Sequence, residues 1–238
     1  DHLPIQMAKR PEVFEDAVAC LVRGARLPDS PGKTGSESKT TEWRQDERAF
    51  LHAMQTAISS ETRTPFILFF DHNVGGGANL YSARRISELI SQGMTVLRVF
   101  FDLPSLLYGV EWVDRQSRLR ASLSDLALLG EMVQRLGVDR IFMNNLHTFE
   151  DTLSVIDLLL EIKRNTAAPL TVAIHDYYGV CPEVNLLDVN RRYCGVPELK
   201  TCRSCLRENR SETLRMIPCE DMAAWRGAWG RLFTEAET

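Results

Sequence analysis

Apolar residues along this chain follow two rhythms, short unbroken runs and wider helical stripes, and their alternation predicts the architecture. Phe66 to Phe70, FILFF, is a wholly apolar run of strand length, the pattern of a strand buried on both faces. Asp71-His72-Asn73 ends it, and beyond the glycines Leu80, Ile86, Leu89 and Ile90 recur at helical spacing up to Gly93, a helix-stop signal. A second strand is expected over Thr95 to Phe101. The stretch 104–122 stays open between loop and β-hairpin. Leu123, Leu126, Leu129, Val133 and Leu136 then restore a helical stripe closed by Gly137. Arg140 to Met143 reads as a third strand, and a helix through Leu153, Ile156 and Leu160 leads to a fourth at Leu170 to Ile174. Strands alternating with helices of this length predict an α/β domain over 43–180, a Rossmann-like parallel sheet with helices on both faces.

The flanks carry weaker patterns. Val13, Phe14, Val18, Leu21 and Val22 share a helix face within 1–27, a segment expected to come from an upstream domain. Residues 28–42 are rich in Pro, Gly, Ser, Thr and charge, too polar to offset their ordering entropy, and read as a linker. Trp43, Phe50, Met54 and Ile58 predict a helix packed on the domain. Within 208–238, Trp225, Trp229, Leu232 and Phe233 fall on one helical stripe, expected to face the core.

Composition narrows the function classes. Of 238 residues, 44% are hydrophobic and 25% charged, enough for one substantial core. A formal charge of −4 gives no electrostatic footprint for nucleic acid, so no such partner is expected. No run approaches the ~20 apolar residues of a membrane span, and the chain reads as soluble. The start at Asp1 and the finish at Thr238 read as those of a piece of a longer protein.

Ligands of parallel α/β sheets bind outside the carboxyl ends of the strands, so the residues just after each strand are the ones that matter. Gly75, Gly76 and Gly77 join a buried strand to a helix, where free amides and the positive helix end suit a diphosphate; a tight turn alone would also explain them. A dinucleotide site wants a small residue where Leu80 stands, so NAD fits poorly. His175 and Asp176 follow the last strand, where an imidazole and a carboxylate can orient or deprotonate a hydroxyl. An ordinary satisfied surface histidine is the alternative. His72, Asn145 and His147 occupy similar positions and are candidate substrate contacts, with His147 equally placed to start a helix capped by Thr148.

Four of the six cysteines, Cys181, Cys194, Cys202 and Cys205, lie within one polar stretch, 181–207. Clustering of this kind suits a structural zinc site in a reduced compartment, and the terminal CRSC pair has the spacing by which two thiolates share one tetrahedral ion. Disulfides or free thiols remain alternatives. Cys20 and Cys219 stand apart.

Taken together, FFDHNVGGGANLYSARRISELISQG, HDYYGVCPEVNLLD with YCG and CRSCL, and AAWRGAWGRLF resemble the N-terminal, acceptor-side half of bacterial family-4, group 1 glycosyltransferases, in the subgroup with a cysteine-rich insertion. The resemblance spans 65–238. It implies one half of a GT-B fold, and transfer of a sugar from a nucleotide-diphosphate donor to a glycan or lipid-linked glycan, without a catalytic metal. It implies that Gly75 to Gly77 approach the donor diphosphate and that His175, with Asp176, positions the reacting sugar. Asn144-Asn145-Leu146 stand where many relatives carry a His-x-His sequence. The donor domain would follow the Trp225 helix, so the chain alone is expected to be inactive. A cytoplasmic location is implied, with peripheral association at the inner membrane face. Two rival readings are a non-catalytic, zinc-stapled carbohydrate-binding or interaction module, and a Rossmann-fold oxidoreductase or methyltransferase with Asp102 on a ribose.

Overall fold

A computed structural model describes residues 50, 54, 56, 64–123, 126–210, 219 and 221–237. The expected segment 1–27 and linker 28–42 lie outside the described residues. Of the helix expected from Trp43 to Ile58, Phe50 and Met54 are helical and buried in the core; apart from Thr56, the remainder also lies outside them.

Six strands form one sheet: β1 (Phe66–Phe70), β2 (Thr95–Asp102), β3 (Leu107–Val113), β4 (Arg118–Leu123), β5 (Arg140–Met143) and β6 (Leu170–Val172). Their order is β4-β3-β2-β1-β5-β6. β2, β1, β5 and β6 run parallel, as the long helical crossovers between them require. The expectation of a purely parallel sheet is corrected at one edge. There β3 and β4, the stretch left open between loop and hairpin, add antiparallel to β2. The physical reason is connection length. Only four residues link β2 to β3, with the amide of Leu106 donating to the Asp102 carbonyl at 2.8 Å. Four more link β3 to β4, where the Asp114 carboxylate accepts the amides of Gln116 at 2.7 Å and Ser117 at 2.6 Å. Such turns can only reverse the chain.

Helices flank the sheet: α1 (Gly76–Ser91), α2 (Ala127–Leu136), α3 (Thr152–Thr166), α4 (Leu199–Glu208) and α5 (Met222–Glu235). On one face Ile86 and Leu89 of α1 meet Ile67, Phe69, Val96 and Phe142. On the other, Leu129 of α2, Val155 and Leu159 of α3 and Trp225 of α5 close over Phe66, Leu68 and Phe70. The architecture is α/β with helices on both faces, consistent with a Rossmann-like fold. α3 starts not at Thr148 but at Thr152, where the Asp151 carboxylate caps the amide of Ser154 at 3.0 Å. On α5 Trp225, Trp229 and Leu232 are buried as expected; Phe233 is exposed, contrary to expectation, because it lies at the rim over Gly179. A Cβ at Gly179 would come within 2.7 Å of the Phe233 ring, so a side chain there would push the exposed Phe233 aside. Among the described residues no helix is long and apolar enough to cross a membrane.

Candidate functional site

The parallel strands end on one edge of the sheet, and the chain turns polar there at once. After β1 the glycine loop bends with Gly75 at φ 89° and Gly76 at φ 84°, left-handed values that a side chain adopts only with strain. Asn79 staples the loop, accepting the Gly75 amide at 2.5 Å and donating to the His72 carbonyl at 2.6 Å. A Cβ on Gly75, Gly76 or Gly77 would meet nothing within 4 Å. Conformation therefore demands glycine at 75 and 76, and packing demands it at none of the three. The first amides of α1, which have no partners within the helix, open at this point. Leu80, which counted against NAD, is 67% exposed.

Beneath the loop a polar row crosses the sheet. Asp71, fully buried, accepts Arg98 Nη2 at 2.8 Å and Nε at 3.1 Å. Its other oxygen accepts Asn144 Nδ2 at 2.8 Å. Asn144 also donates to the Ala78 carbonyl, leaving its Oδ1 to face His175 Nε2 at 2.8 Å. With the Asn144 amide nitrogen spent on acceptors, His175 must donate from Nε2, and its Nδ1 becomes the acceptor nitrogen. His175 is exposed, with the Tyr81 ring edge-on at 5.2 Å.

A second group gathers around Asp176. His72 and His147 each feel its negative charge, and His72 also feels His147. Burial pushes both imidazoles below the ordinary histidine pKa; Asp71 and, more weakly, Asp176 oppose this at His72, and Asp176 at His147, without reversing it. Both histidines are accordingly neutral at pH 7, able to take a proton. His147 Nε2 is buried without a hydrogen-bond partner, while its backbone amide donates to Asn145 Oδ1 at 2.7 Å. Asp176 is fixed by the Tyr178 amide, which donates to its Oδ1 at 2.8 Å. The sequence neighbours His175 and Asp176 thus join different partners: His175 bonds to Asn144 of the Asp71 row, and Asp176 accepts the Tyr178 amide. A cavity of about 190 Å³ opens here, between Asn145, His175, Asp176, Tyr177, Trp229 and Phe233.

These depressed imidazoles carry a pH prediction. A histidine whose folded pKa lies below its unfolded value near ~6.5 binds a proton more readily when unfolded, so its stabilising contribution is full above that value. It is lost as pH falls from there through the folded pKa. Thermal melts between pH 8 and 5 are expected to show stability falling below about pH 6.5, with His147→Gln flattening part of that slope. An equal slope in His147→Gln would contradict the assignment.

Tyr178 anchors the loop that carries these groups. Its hydroxyl pairs with Thr152 Oγ1 at 2.8 Å, its carbonyl accepts Trp225 Nε1 at 2.9 Å, and its ring meets His147 edge-on at 5.4 Å. Burial pushes its phenol up, out of any titration near neutrality.

Cys181, Cys194, Cys202 and Cys205 come together next to this loop: burial, and after it Cys194, Cys202 and Cys205, push the Cys181 thiol up to about 12, while burial, Cys194 and Cys202 raise that of Cys205. None is in a disulfide. Arg226 of α5 donates to Cys202 Sγ at 3.2 Å and to the Val180 carbonyl, and Asn209 donates to Cys205 Sγ at 3.5 Å. N–H donors on sulfur and four clustered thiols are the chemistry of a thiolate site. Among the described residues, though, no group of three or more His, Cys, Asp or Glu side chains stands in an arrangement that could hold an ion; Cys202 and Cys205 lie on α4.

Compared with protein-family models, with curated proteins and with solved structures, the chain finds no match. Sequence reasoning named Asn144 without a role and missed Arg98: Asn144 joins His175 to Asp71, and Arg98 holds Asp71 in place. The signals were present: a charge in the middle of the apolar run TVLRVFFD, and another, Glu111, in LYGVEWV. The register sets Arg98 directly opposite Glu111.

Proposed function

We propose that this chain is the acceptor-side domain of a glycosyltransferase that moves a sugar from a nucleotide-diphosphate donor to a glycan or lipid-linked glycan. One observation carries the reading: the glycine loop, His72, His147, His175 and Asp176 all stand at the carboxyl ends of the parallel strands of one sheet. Exposed apolar residues around that edge, Val74, Tyr81, Ile174 and Tyr177, suit a cleft closed by a second domain. In the reaction the acceptor hydroxyl loses its proton to Asp176 or a neutral histidine beside it. Its oxygen forms the new bond to the anomeric carbon as the bond to the diphosphate breaks. The nucleoside diphosphate leaves with the electron pair, its charge met by the amides opening α1. His175 orients the transferred sugar through Nδ1. No step uses a metal ion.

The glycine loop provides the test. In the enzyme complete with its donor domain, Gly76→Val is expected to lower kcat/KM about ten-fold or more and to weaken inhibition by the nucleoside diphosphate product similarly, since a left-handed β-branched residue shifts the amides. Unchanged kinetics would remove the loop from the site. Rapid turnover of a sugar nucleotide by the 238-residue chain alone would overturn the half-enzyme reading.

The four cysteines are proposed to hold one structural zinc, with Cys181, Cys194, Cys202 and Cys205 as thiolate ligands, fastening the 181–207 segment to α5. Elemental analysis of chain purified under reducing conditions is expected to give about one zinc per chain, with chelation lowering the melting temperature. A metal-free preparation of unchanged stability would refute this.

A further inference from the structure

α1 covers only part of its face of the sheet. Beyond it, over β2, β3 and β4, lies a groove of about 710 Å³ that no helix among the described residues fills, within the roughly 300–1,000 Å³ typical of small-ligand sites. Its two ends differ in charge. At the hairpin end Glu111 is fully buried, yet its carboxylate meets three guanidiniums: Arg98 at 3.2 Å, Arg118 at 3.3 Å and Arg120. Burial alone would raise the Glu111 pKa; Arg120, Arg98 and Arg118 outweigh it and hold the group ionised. Both carboxylates of this cluster, Asp71 and Glu111, lie beneath the surface, while the Arg118 and Arg120 side chains are 59% and 43% exposed. The groove wall at that end therefore presents the exposed guanidiniums of Arg118 and Arg120. At the glycine-loop end the polarity reverses. Asp102 stands there, accepting Asn73 Nδ2 at 2.9 Å and Ser105 Oγ at 2.5 Å, with Asn79 beside it.

We propose that this groove binds a sugar unit of the acceptor that carries a single anionic group, its carboxylate or phosphate on Arg118 and Arg120 and its hydroxyls toward Asp102 and Asn73. The two ends dictate that choice. Fixed guanidiniums favour an anion at one end, and a carboxylate at the other repels a second. What remains there is acceptor chemistry suited to hydroxyls. A polyanion such as nucleic acid would place charge at both ends. The sugar identification rests on the glycosyl-transfer reading; the anion preference rests on the groove alone.

Binding to the 238-residue chain would be measured for four probes: a glucuronate-containing disaccharide, its carboxyl-reduced counterpart, glucose 6-phosphate and inorganic phosphate. At least one acidic sugar is expected to bind about ten-fold or more tighter than the neutral disaccharide, the scale of a charge-assisted hydrogen bond. Which of the two does so identifies carboxylate or phosphate. That preference should vanish in Arg118→Gln/Arg120→Gln, with its melting temperature measured alongside because both side chains pair with buried Glu111; Arg118→Gln alone, which leaves Glu111 with Arg98 and Arg120, is the milder variant and should weaken the preference without unfolding the chain. Equal binding of acidic and neutral sugars, no binding of either, or a preference that survives the double substitution would overturn the proposal. So would inorganic phosphate binding as tightly as the sugars. Sugar transfer is read separately in the complete enzyme, so indifference to charge alongside normal transfer would sink the groove assignment and leave the catalytic reading standing.

Discussion

Replacing Arg98 with methionine is expected to cost about 3–5 kcal/mol of folding stability, the range found when one partner of a buried ion pair is removed. Few positions in the chain concentrate so much. The guanidinium donates to Asp71 through two nitrogens, to the His72 carbonyl at 2.8 Å and to Glu111. Methionine fills similar volume and leaves two fully buried carboxylates short of their counter-charge. Glu111 keeps Arg118 and Arg120, whereas Asp71 keeps only the neutral amides of Asn144 and Asn79. Asp71→Asn in the same background should therefore recover part of the loss, because it removes the stranded charge. Urea unfolding of the single and double variants measures both. A loss under about 1 kcal/mol, the size of an exposed pair, would mean that the cluster is solvated. The variant should also disturb the candidate site, since the Asp71–Asn144–His175 row begins at Arg98.

Trp225→Ala is expected to be comparably damaging, about 3–5 kcal/mol, the range for emptying a large aromatic site in a core. Trp225 is 1% exposed and lies between α5 and the loop after β6. Its ring meets Tyr178 edge-on at 5.0 Å and Trp229 at 6.4 Å, and Nε1 donates to the Tyr178 carbonyl at 2.9 Å. Phenylalanine keeps most of the bulk and drops that donor. Trp225→Phe should accordingly cost less, about 1–3 kcal/mol, from the unpaired buried carbonyl. Because the Tyr178 amide also fixes Asp176, both variants should alter the pH dependence set by His72 and His147. Stabilities of Trp225→Ala and wild type within about 1 kcal/mol would show that this junction can collapse without penalty.

Much of the framework was legible in one dimension. FILFF, the glycine loop and the stripes ending at Gly93 and Gly137 each specify an element through local physics: apolar runs bury on both faces, and glycine ends helices. β1, α1, β2, α2, β5 and α3 were all readable in this way, and so were the polar strand ends where the site lies. The hairpin β3–β4 was less so, because LYGVEWV and RLRASL mix charge into short runs, and their pairing depends on an ion cluster contributed by three strands.

Local sequence determined the buried strands, the helix stripes, the left-handed glycines and the polarity of the strand ends, because periodicity and backbone sterics act over a few residues. Partnership was decided by the tertiary structure. His175 and Asp176 are adjacent in the chain, yet one bonds to Asn144 and the other to the Tyr178 amide. Arg98 finds Asp71, 27 residues away, and Asn144 reaches Asp71 across 73. Those choices follow from strand order and register, which are set by burying the whole sheet at once and are written in no single segment.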